Sequence, residues 1–159
     1  MGLLGPITAG RGKRRARRAS WAFNHELDAY ARTLARLERK PADVMGDDRS
    51  TPMPQRAAAA LPRMTRAYAN FREATGELEQ TREAVVRLLE DPVTPADIAA
   101  SARARFDQLA VRHPSDEDIA ATAAQWQAML ERLERWAQRD PDHAAATAGR
   151  RATAVGGRR

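Results

Sequence analysis

Residues 11–18 read RGKRRARR, six positive charges in eight positions, and no acid occurs before Glu26. The chemistry open to such a run is the binding of oxyanions. Arginine's planar fork meets phosphate oxygens two at a time. Each phosphate neutralised on a duplex releases counterions, so affinity falls by about 0.9 log units per log unit of salt for every contact. Arg11, Lys13, Arg14, Arg15, Arg17 and Arg18 are therefore the candidate nucleic-acid contacts, with Arg150 and Arg151 in support, followed by Arg158 and Arg159. Apart from arginine itself, the run holds no side chain suited to base edges. That implies backbone contact without sequence preference.

Two aromatic residues follow the run. Trp21 lies off the apolar stripe described below and is open to stacking on unpaired bases; Phe23 lies on the stripe and belongs to the core. Arg17-Arg18-Ala19-Ser20 also fits a basophilic kinase site, which would place a phosphate at a helix start.

Other chemistries find little material. His25, His113 and His143 are too far apart to form a helical metal pair, and there is no cysteine, so neither a metal set nor a thiol nucleophile can be assembled. The carboxylates of residues 77–83 and 131–134 are interleaved with arginines; Glu83 and Arg87, or Glu131 and Arg135, have the spacing of solvated i,i+4 pairs. No Gly-rich phosphate loop or GxSxG elbow occurs. The expectation is a protein without catalytic residues, metal or cofactor.

Charge is divided along the chain. The net +6 resolves into +6 over residues 1–20, −3 over 21–140 and +3 over 141–159. Arginine outnumbers lysine 25 to 2, which a GC-rich coding sequence produces, but codon usage does not explain why acids balance arginines only in the middle. No apolar run approaches the roughly 20 residues that span a bilayer, and MGLLGPITAG lacks the order of a secretory signal. The expected location is cytoplasmic, or a virion if the chain is a viral component; the missing cysteines fit a reducing compartment.

The elements that would position the basic run are helical, because Ala, Arg, Leu and Glu dominate. Ser20 is the expected N-cap of a first helix whose Phe23, Leu27, Tyr30, Leu34 and Leu37 recur at alternating steps of four and three. Residues 41–54 read as a loop. A second helix, about 29 residues and 40 Å long, presents Leu61, Met64, Tyr68, Phe71, Thr75, Leu78, Arg82, Val85 and Leu89, with Pro62 in its first turn. A third presents Ile98, Ala102, Phe106 and Leu109. A fourth presents Ile119, Ala123, Trp126, Leu130, Leu133 and Ala137. TPADIAASA at 94–102 returns as SDEDIAATA at 115–123, through an internal duplication or through two similar capping signals.

The expected architecture is all-α, four amphipathic helices in a bundle or paired hairpins. The divisions are a disordered basic arm at 1–19, a helical domain at 20–140 and a low-complexity basic tail at 141–159. The expected function is non-enzymatic: the body self-associates as a homo-oligomer and the arm contacts nucleic-acid backbone, as suits coating, packaging or organising, including in viruses and mobile elements. The alternative is a helical adaptor acting through protein partners. In it the arm is incidental or lies on an anionic membrane surface with Leu3, Leu4 and Ile7 dipping in.

Overall fold

The computed structural model describes residues 5–155, and side chains over residues 10–150. Among the described residues the chain is helical throughout, in six helices rather than four: α1 (Gly5–Glu38), α2 (Pro41–Met45), α3 (Met53–Glu90), α4 (Ala96–Ala110), α5 (Asp116–Ala137) and α6 (Pro141–Val155). No helix there is long and apolar enough to cross a membrane. The helices divide into two compact units, and α3 contributes its residues up to Arg72 to one and those from Glu73 to the other.

The first unit holds α1, the end of α3 and α4. All five stripe residues of α1 are buried, none more than 6% exposed. At about 1.5–3 kcal/mol for each large apolar side chain removed from water, this stripe fixes the inward face of α1. It packs on α4, which buries Ala102, Phe106 and Leu109; the Tyr30 and Phe106 rings lie 5.9 Å apart. Around this core α1 is tied by charge. Arg36 reaches Glu77 at 2.7 Å and Glu73 at 3.0 Å. Arg112 grips Glu38 with two hydrogen bonds of 2.7 and 2.8 Å, and Arg105 bonds Asp28.

The second unit holds α2, the start of α3, α5 and α6. Here α5 buries Trp126, Leu133 and Ala137, and the Tyr68 ring stacks 6.2 Å from Trp126 while its hydroxyl accepts a hydrogen bond from Gln127 Nε2 at 3.1 Å. Pro41 stands at the start of α2, Lys40 and Asp43 close its first turn reciprocally, and Gly46, at φ 74°, ends it. Only glycine adopts that φ without steric cost.

Several expectations are corrected. α1 does not start at Ser20 but runs back to Gly5, so residues 5–19 are helix rather than a disordered arm. The physical reason is that the docked part of α1 supplies the costly nucleus, and Arg, Lys and Ala then extend it cheaply. The 41–54 segment contains α2. Pro62 lies well inside α3 instead of in its first turn; it removes one intrahelical donor, and its ring is exposed. The tail folds as α6 over Pro141–Val155, with Pro141 at the helix start, where its missing N–H is no loss. Before α4, Pro95 takes the N-cap position and the Thr94 hydroxyl turns back to the Leu88 carbonyl.

The buried row of α3 is also displaced. Met64, Phe71, Leu78 and Val85 are buried as expected, but their companions are Ala57, Ala60, Ala67 and Ala74; Leu61, Tyr68, Thr75 and Leu89 are only half-buried, and Arg82 is exposed. A row of alanines lets a neighbouring backbone come close, so small residues occupy the inner line and larger ones flank it.

Candidate nucleic-acid interface

Helix geometry decides which arginines of the arm act together. At 3.6 residues per turn, Arg11, Arg14, Arg15 and Arg18 fall within an arc of about 100°, well away from the stripe that α1 buries. The four line a common recess of about 240 Å³. Arg17 flanks this arc, Lys13 points to another side of the helix, and all six side chains are exposed. Among the described residues none of the six is ion-paired with a carboxylate, whereas Arg36, Arg82, Arg87, Arg105 and Arg112 all are. At the root of the arm Arg15 and Arg18 also border a groove with Leu88, Asp91, Val93 and Thr94 of the same unit.

One turn beyond Arg18 stands Trp21, the most exposed aromatic of this face at 69%. It stacks on His25, ring centroids 5.3 Å apart and planes within 12°. On its N-terminal side Trp21 shares an open recess of about 570 Å³ with Arg17, Arg18 and Ala22. Phe23, two residues on, points into the core at 3% exposure, which assigns it to packing. Ser20 is exposed, but it sits in the middle of α1, so a phosphate there would not meet a helix start.

Arg150 is exposed on α6, in the other unit. Arg151 lies in α6 where side chains are not described, and Arg158 and Arg159 fall outside the described residues, as do Leu3 and Leu4; Ile7 lies in α1 without a described side chain.

Sequence reading missed one polar chain. The Tyr30 hydroxyl lies 2.8 Å from His113 Nδ1, and His113 Nε2 lies 3.2 Å from Glu79 Oε1. With Nε2–H donating to the carboxylate, Nδ1 is left to accept from the tyrosine. From the sequence, His113 was weighed only as a metal ligand. Its partners stand 34 and 83 positions away, beyond any local pattern. Tyr, His and Glu in series look like a proton relay, but Tyr30 is 0% exposed and presents no face to a substrate. Burial pushes the Tyr30 hydroxyl above its ordinary value, which keeps it a neutral donor. The chain fastens α1, α3 and the end of α4 together inside the first unit. Among the described residues no group of three or more His, Asp or Glu is arranged to hold a metal ion. No family model, no curated protein and no solved structure matches this chain, so nothing is carried over to it from a relative.

Proposed function

We propose that the basic face of α1 grips the phosphate backbone of nucleic acid without reading its sequence, and that the helical body serves as a scaffold and performs no catalysis. The observation that carries this is the contrast between two sets of arginines. Five arginines of the body, Arg36, Arg82, Arg87, Arg105 and Arg112, are matched to carboxylates, while Arg11, Arg14, Arg15 and Arg18 are gathered on one exposed arc with no described carboxylate in ion-pair range. Unpaired guanidinium groups held on a helix lose less freedom on binding phosphate than the same groups on a disordered tail.

Assembly of several copies along a strand belongs to the same proposal. Because the apolar stripe of α1 is buried within the chain, such assembly would use other surfaces. Sedimentation velocity with and without oligonucleotide reads it directly.

The test compares the full chain with a variant in which Arg11, Arg14, Arg15 and Arg18 are replaced by Gln, which keeps the helix propensity and removes the charge. The expected result is binding of a labelled oligonucleotide by the full chain and its loss, by a hundredfold or more at about 50 mM salt, in the variant. Equal affinity of the two proteins would remove the arm from the function.

A further inference from the structure

Resting on the phosphate-gripping role of the arm, we infer that the Trp21–His25 stack is a base-binding platform, and that the ligand of this face is single-stranded nucleic acid. Three features of the geometry converge on it. First, Trp21, among the largest apolar side chains of the chain, is 69% exposed at the end of the basic face, where its ring is open to a ligand. Second, the ring is held rather than free: His25, one turn on, stacks against it nearly parallel, so less side-chain freedom is lost when a third ring joins. Third, Trp21 also lines an open recess together with Arg17, Arg18 and Ala22, which places cationic groups beside the ring, where the phosphates flanking a stacked base would lie.

The spacing along α1 agrees. Arg11 to Arg18 span about 10 Å of helix, and Trp21 follows about 4.5 Å further on. A strand lying along the arm meets guanidinium groups first and reaches the aromatic platform at its end. An unpaired base can stack there directly. A paired base is already stacked between its neighbours and would have to be extruded first, so duplex can use the arginines but not the platform. Stacking is indifferent to base identity because every base has a π-face, in keeping with an arm that carries nothing to read base edges.

The discriminating variant is Trp21→Ala in the full chain. Trp21 is exposed and off the buried stripe, so the substitution leaves the core of the first unit intact, which circular dichroism checks. Four ligands are titrated: oligo-dT, oligo-U, and the duplexes each forms with its complement. The two single strands separate DNA from RNA as the source. The expected result is that Trp21→Ala weakens at least one single strand about tenfold and both duplexes less than twofold, with Trp21→Phe recovering part of the loss. Equal loss on single strand and duplex, or no loss on either single strand, overturns the platform while the arm remains. Failure of the unsubstituted chain to bind any of the four overturns the arm, and the platform with it.

Discussion

Asp48 illustrates how local hydrogen bonding sets the behaviour of a single residue. Its carboxylate accepts from the Ser50 amide at 2.9 Å, the Ser50 hydroxyl at 2.6 Å and the Thr51 hydroxyl at 2.9 Å. These bonds, the Ser50 hydroxyl foremost, pull its pKa from 3.8 down to about 2. A depressed folded-state pKa means that the turn is held above pH about 4 and released as pH falls through about 2. Ser50→Ala is expected to return the Asp48 midpoint toward 3.8, read by carboxyl-carbon NMR through an acid titration. Asp28 and Glu38 follow the same sign, each held low chiefly by a hydrogen bond from its arginine, Arg105 and Arg112, so both ties also loosen toward acid. At Tyr30 the expected effect is on stability alone. Tyr30→Phe removes the donor to His113 Nδ1 and should cost about 1–2 kcal/mol in urea unfolding. It should leave oligonucleotide affinity unchanged, since the Tyr30–His113–Glu79 chain is structural; a shift in affinity without one in stability would contradict that role.

The helices differ in how far the sequence exposes their inner faces. The stripe of α1 was legible because its five members are large and apolar, and all five are buried. On α3 the pattern of large residues pointed along a line that includes Thr75 and Arg82, when the inner line is filled in part by alanines. Alanine is common on both faces of such a chain, so hydropathy does not say which alanines face in. The arm was misread for a related reason: its lack of apolar periodicity says nothing against a helix once a neighbouring segment has nucleated it. Gly10 and Gly12 are the weak points of this extension, and a Cβ at either meets nothing within 4 Å. Gly10→Ala with Gly12→Ala should therefore stabilise the arm helix by about 1 kcal/mol per site, raising the far-ultraviolet helical signal. If phosphate is gripped by the helical form, affinity rises with it; a gain in helix with a fall in affinity would show that the bound arm unwinds. Core size is tested at Phe106→Ala, expected to cost about 3–5 kcal/mol through the cavity left beside Tyr30.

For the chain as a whole, the division of charge was the legible signal and the division into units was not. Acids balance arginines through the body and are missing from the first 25 residues, a pattern that needed no fold to be seen. That residues far apart in sequence would share a unit, with α3 supplying both, depends on long-range packing that no local period encodes. The gathering of four arginines on one arc was implicit in their spacing but became a geometric fact only with the helix that carries them. Its central consequence is countable. Plotting log affinity against log salt for the full chain should give a slope of about −2.8 on single strand and about −3.6 on duplex if four phosphates are neutralised. Between 50 and 200 mM salt that is a loss of about 50-fold and about 150-fold respectively. The variant with Gln at residues 11, 14, 15 and 18 should show a much shallower slope, set by the remaining Arg17 and Lys13. A flat dependence for the full chain, or a steep one that the four substitutions leave unmoved, would contradict the assignment of this face to nucleic acid.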